Sequence, residues 1–430
     1  MGVLEADINL LDLDRWARYG APHHWFARLR ETAPVWRHPS PTADGQPGFW
    51  VVSGYDDVVA LGRCPHALSS DDDNGGVSGL GPGDELEEET RRTGAELGPG
   101  RAALGDDAKF LLTLDPPEHT TYRKIVSRGF TPRMVTRLEP RVRHQVDSLL
   151  AATPPGEVFD LAEAVSVPLP MRVIGDLIGV PPEDHDRILR WSNESLAGTD
   201  AEYRPPGGSI LGAVAAMLTY FGELRDSRSQ DLGDGEDLVS VLTGASVDGH
   251  RLSDLRFRMF LFLLAVAGSE TTRTAISHGV LALHENPEQW QSLRRDPSLI
   301  PAAVEEILRW ASPVLYFRRN ALTAMDAGGQ RIEPGDIVSL WYVSANRDPG
   351  RFPSPDRFDI SRDPNPHVAF GGGGPHFCLG ASLARLELRV LLEELLARYH
   401  HVEVTGPAQR LRSNFLHGIK HLPVRTHPGA

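Results

Sequence analysis

Apolar residues recur at three- and four-residue spacing over seven stretches, 142–150, 171–178, 183–191, 210–224, 252–283, 302–310 and 379–399. That period belongs to helices with one buried face. Pro168 and Pro170 oppose an extension of the second stretch toward Leu161. Strand-like pieces are few: GFWVV at 48–52, DIVSLW at 336–341 and a short run at 402–404. No alternating strand–helix series supports a Rossmann sheet. The pattern predicts a mainly α chain, a large helical body carrying a few small hairpins. The longest apolar run, 259–268, is about half a membrane span and reads as a buried helix.

Composition narrows the function. Asp and Glu total 58 against 44 Lys and Arg, a net charge of −14. A general nucleic-acid binder needs a basic face instead. Two cysteines, Cys64 and Cys378, exclude a disulfide scaffold and structural zinc. The acidic, interrupted start carries no targeting pattern, so a cytoplasmic chain with no membrane partner is expected. Residues 69–108 are rich in Gly and acid, with hardly any large apolar side chain. They read as a mobile loop with a short helix around 85–93, because such a stretch buries too little to offset its ordering entropy. No internal repeat occurs.

The densest chemistry is FGGGGPHFCLG, residues 370–380. Leu379, Leu383, Leu386 and Val390 follow on one apolar helical face. Cys378 therefore sits at a helix N-terminus, where free N–H groups favour a thiolate. A phosphate loop would end in Gly-Lys-Ser/Thr, and here the place reads His-Phe-Cys. A zinc deaminase needs a second nearby cysteine. A nucleophilic cysteine needs a base, which His376 could supply. A lone cysteine is commonly a buried structural residue. The glycine run and helix start favour axial ligation of haem iron instead.

Three other features gain meaning only together. In LFLLAVAGSETTRTAI, 261–276, an apolar helix is interrupted by Ala267, Gly268, Glu270, Thr271 and Thr272. Gly268 costs about 1 kcal/mol relative to Ala inside a helix. Either it marks a close helix contact, with the threonines bonding back to carbonyls, or a carboxylate beside a hydroxyl relays protons into a dry pocket. Glu306 and Arg309 share a helical face, as do His119 and Arg123, a cationic clamp if they face a pocket.

In this order the four features resemble the cytochrome P-450 family, with SANRDPGRFPSPDRFDISRDPNPHVAF (344–370) and LARLEL (383–388) completing the pattern. The resemblance runs from about Gly20 to Val424 and is weakest across the acidic segment. It implies a single domain over 1–430, a triangular helical prism with small β-sheets. It implies haem b with Cys378 as the iron ligand. Phe370, Gly371, Gly380, Ala267 and Gly268 would lie against the haem. His119, Arg123, His376 and either Arg318 or Arg319 would contact its propionates. Glu270 and Thr271 would be the proton-delivering pair. Glu306, Arg309 and Arg357 would form a buried structural ion triad. The implied reaction inserts one oxygen atom from O2 into a substrate, with NAD(P)H-derived electrons from a separate ferredoxin and its reductase, docked near Arg385 or Arg389. Val314, Leu315 and Phe317, with Phe415 and Leu416, resemble pocket walls. The branch resembled is the soluble actinobacterial one acting on sterols, terpenoids, branched lipids and natural products, free or carrier-bound. A peroxide-driven enzyme and a non-catalytic haem sensor or carrier are the rival classes. The Glu270–Thr271 pair argues against both.

Overall fold

The computed structural model describes residues 8–39, 48–81, 85, 88, 92, 105–195, 200–203, 210–230, 237–247 and 249–429. Half of the expected mobile segment 69–108 lies outside these residues, and Glu85, Glu88 and Arg92 are helical. Its first part packs tightly: Val77 and Leu80 are buried, and Val77 accepts the Arg318 N–H at 2.8 Å.

Each of the seven periodic stretches is a helix. The longest, Asp254–Glu285, starts where Ser253 accepts the Arg256 N–H at 3.2 Å and ends before Pro287. By length and composition it could cross a membrane, but 67% of its most apolar window is buried, so it is the core helix. Around it pack Pro168–Ile178, Ile210–Gln230, Ile300–Ala311 and Ala381–Arg398. Pro168 opens its helix instead of interrupting it, because a first-turn proline loses no intrahelical bond. Before it, Ala162–Ser166 forms a π-helical turn.

A five-stranded sheet flanks the helices, in the order Val35–His38, Phe49–Val52, Ile337–Trp341, Tyr316–Ala321 and Leu68–Ser69. Phe49–Val52 pairs parallel to Ile337–Trp341, and the other pairs are antiparallel. A second sheet joins Val158–Asp160, Pro423–Pro428 and Tyr399–Val404. The first sheet carries Tyr316–Ala321 to one side of the core helix. The loop before Ala381 meets the same cavity, so that helix, strand end and loop enclose it together.

Candidate active site

The cavity encloses roughly 1380 Å³, part of it open to solvent. Ala267, Gly268, Thr271 and Thr272 form one wall, since positions four apart share a helical face. Phe370, Gly371, His376, Cys378 and Gly380 form another, and Val314 and Phe317 close a side. Gly268 serves both readings of its sequence. A Cβ there would lie 2.8 Å from Ile174 Cδ1, so glycine permits the helix contact while its backbone faces the cavity.

Cys378 is set by a tight loop whose first carbonyl, that of Phe370, accepts the Cys378 N–H at 3.0 Å. Burial pushes the thiol pKa up, opposed by the N–H groups of Gly380 and Ala381 and by Arg123 and Arg385. A cation bound at sulfur would displace the proton. Gly371 lines the cavity, but a Cβ on Gly374 would meet the Gly62 carbonyl at 2.7 Å, and one on Gly372 would meet Val59 Cα at 3.0 Å. Most of the run lets the loop press on the neighbouring helix Tyr55–Gly62, not on a ligand.

Four basic side chains converge beside this loop. The His119 and His376 rings stand 4.2 Å apart, and His119 Nδ1 and His376 Nε2 are buried without a partner. Burial, then Arg123 and Arg319, lowers the His119 pKa to about 4; burial, Arg319, His119 and Arg123 lower that of His376 to about 2. Arg123 donates to the Phe377 carbonyl and Arg319 to the Arg318 carbonyl at 2.7 Å. No ion pair joins either arginine to a carboxylate among the described residues. Arg318 points away and binds Asn320 Oδ1 at 3.0 Å and the Gly79 carbonyl at 3.1 Å. Arg319, one layer behind the cavity wall, is thus the arginine on the cavity side. A flat group bringing carboxylates would satisfy this unpaired basic cluster, with Cys378 below it.

Glu270 and Thr271 diverge. Thr271 faces the cavity and donates to the Ala267 carbonyl at 2.9 Å. Glu270, one residue earlier on the helix, turns off the cavity and pairs with Arg273 at 2.5 Å. Arg273 lies 5.3 Å beneath the Tyr203 ring.

The structure corrects four expected positions, Leu315, Phe415, Leu416 and Arg357. Leu315 is fully buried in the sheet-side core, just before the strand Tyr316–Ala321 begins, while Val314 and Phe317 reach the cavity. Phe415 and Leu416 sit behind that strand. Phe415 packs on Tyr316 and Phe317, while Leu416 bridges Val314 through its backbone. Arg357 is exposed and gives the ion cluster a carbonyl in place of its guanidinium, to Arg309 at 3.2 Å and Arg362 at 3.0 Å. Arg362 is the third member of the ion cluster, with Nε 3.2 Å from Glu306. Arg385 and Arg389, the expected docking charges, are paired with Glu305 and with Glu139 and Glu393.

Sequence reasoning missed Glu387, which lines the cavity with a buried, unpartnered Oε2. Burial pushes its pKa well up. The signal was a lone acid next to the apolar positions Leu383, Leu386 and Val390.

The family description "Cytochrome P450" matches residues 214–422. A methyl-branched lipid omega-hydroxylase of Mycobacterium tuberculosis is 41% identical over 431 residues, covering 97% of this chain and 94% of the relative. The chain belongs to the cytochrome P450 family. A steroid C26-monooxygenase of Mycolicibacterium smegmatis is 36% identical over 98% of the chain and 92% of its own length. The crystal structure of a Mycobacterium marinum cytochrome P450 in complex with pseudoionone superposes with a TM-score of 0.84 at 36% identity, covering 97% of this chain and 98% of that one. The mainly helical architecture with small sheets is thus the P450 fold, the chain is a P450 monooxygenase, and the family implies haem.

Proposed function

We propose that this P450 hydroxylates a hydrophobic lipid- or steroid-like substrate, with electrons from a separate ferredoxin and reductase. The observation that carries the reading is the cavity itself. Cys378 and Thr271 line one cavity, whose wall at Leu111, Leu263, Val314 and Phe317 is apolar. Cys378 is the iron ligand in this reading, while His119, Arg123, Arg319 and His376 hold the propionates. When bound, haem supplies the activation of O2. The relatives named for branched lipids and steroids support the substrate class.

The chain's own residues do the rest. Apolar walls exclude water and orient a substrate through shape, since they offer few hydrogen bonds. The Thr271 hydroxyl is the group placed to hold a water in the cavity, and it takes a proton lead from Glu270 only when that carboxyl leaves Arg273. Burial raises the Glu270 pKa despite Arg273, which suits a carboxyl that must carry a proton.

Titrating the purified protein with fatty acids, methyl-branched lipids, sterols and polyketides, read by the haem spectrum, tests the class. A shift with branched lipids or sterols and none with polar natural products is expected; the reverse contradicts it. Thr271→Ala should keep substrate affinity yet divert NADPH into peroxide, lowering product per NADPH about tenfold, or ~1.4 kcal/mol. Coupling equal to the parent on a substrate without hydroxyls removes Thr271 from the relay.

A further inference from the structure

Glu305 precedes Glu306 on the helix Ile300–Ala311 and turns toward the cysteine loop. Its carboxylate takes Nε and Nη2 of Arg385 at 2.7 and 2.8 Å, a bidentate pair. It also lies 3.0 Å from His367 Nε2. These partners bracket the loop, His367 before Phe370 and Arg385 after Cys378. His367 Nδ1 accepts the Ala369 N–H at 3.2 Å, which leaves Nε2 to meet Glu305. The bidentate pair at this corner joins one anion, Glu305, to one cation, Arg385. The Arg385 guanidinium sits 4.6 Å from the Phe370 ring centroid, and the Phe370 carbonyl receives the Cys378 N–H. Through Phe370 the Arg385 charge is set beside the loop that carries Cys378.

We propose that Glu305 is a positioning residue that pins both ends of the cysteine loop and cancels the Arg385 charge beside the thiolate, so that it holds down the reduction potential of the haem. Reduction adds one electron and makes the centre one unit more negative. An uncompensated cation nearby favours the reduced form, and an uncompensated anion opposes it. The Arg385 and Glu305 side chains are 38% and 29% exposed, so solvent screens part of the effect without removing it.

The test is a spectroelectrochemical titration of the haem-loaded protein, with dithionite as the electron source. Glu305→Gln should raise the reduction equilibrium constant about three- to tenfold, tenfold being 59 mV for a one-electron couple. Arg385→Gln should lower it comparably, and the double variant should return close to the parent. All three should keep the red-shifted band of the reduced carbon monoxide complex. A purely structural pair would loosen the loop in both single variants and move them in the same direction. That outcome, or no shift in either, overturns the proposal. If Glu305→Gln does not hold haem, Arg385→Gln still decides, since Glu305 and His367 remain to hold the loop. The inference rests on Cys378 as iron ligand; were that reading wrong, the parent itself would lack the red-shifted band.

Discussion

Two buried Glu–Arg pairs, each spaced i,i+3 on a helix, occupy different regions of this P450. Glu306 and Arg309 are fully buried, and nearly every polar atom is used. Glu306 accepts from Arg309 at 2.7 and 2.8 Å, from the Asp359 N–H at 2.8 Å, from Asn365 at 3.0 Å and from Arg362 at 3.2 Å. Arg309 reaches the carbonyls of Asn346 and Pro355, both at 2.8 Å. Glu270 and Arg273 are almost as buried, yet Glu270 has the one short contact to Arg273. The Arg273 Nε is unpartnered, and its next polar neighbour, Asn193, lies at 3.5 Å. Identical spacing therefore carries opposite meanings. A saturated network locks the chain that leads into the cysteine loop; a sparse one leaves a carboxyl that can be released.

The largest expected effect breaks the saturated network. Replacing Glu306 and Arg309 together by leucine orphans the Asp359 N–H, the Asn365 amide and the carbonyls of Asn346 and Pro355, and strips Arg362 of its carboxylate. It should cost at least about 3–5 kcal/mol, leaving little soluble haem protein in absorbance and melting assays. Recovery of a parent-like Tm would break the comparison.

Acid should act next. His417 is buried between the Ala311 carbonyl, at 2.6 Å, and the His278 ring, with Arg410 and Arg347 near. Burial lowers its folded pKa to about 4, against 6.5 unfolded; His38 is lowered to about 4 by burial as well. Below 6.5 the unfolded chain binds more protons than the folded one. This stability is full above pH 6.5 and is lost as pH falls toward 4, of order 3 kcal/mol per histidine at most. Urea midpoints between pH 7 and pH 4.5 should fall, and fall less for His38→Phe, which keeps the stack on Phe49. A flat profile would count against the burial argument.

The sparse pair should respond least in stability. Glu270→Gln with Arg273→Met strands few partners, so the melting free energy should stay within about 1 kcal/mol of the parent. Turnover should nonetheless fall about tenfold, with a changed solvent isotope effect. A loss of stability as large as at Glu306 and Arg309 would show that both pairs are structural.

Much of this was legible in the sequence, for physical reasons. Helical periodicity survives wherever one face is buried, and the loop around Cys378 depends on residue types that little else explains. The strand Tyr316–Ala321 was not legible, because YFRRNA places two arginines side by side where alternation should show apolar residues. Each is buried, one bonded to Gly79 and Asn320 and the other behind the cavity. Arg362 could not be told from Arg357, since both lie in one turn-rich segment and only the fold decides which side chain points inward. Glu305 was hidden beside Glu306, because one helical step separates two opposite faces.

The central claim is that Cys378 faces a haem across from Thr271. The most direct measurement is the spectrum of the reduced carbon monoxide complex in Cys378→Ser and Cys64→Ser. Cys64, whose sulfur contacts the Ala60 carbonyl at 3.2 Å on the neighbouring helix, should be dispensable, and its variant should keep the red-shifted thiolate band. Cys378→Ser should lose that band, since a neutral hydroxyl is a poor iron ligand. A red-shifted band retained by Cys378→Ser would contradict the account.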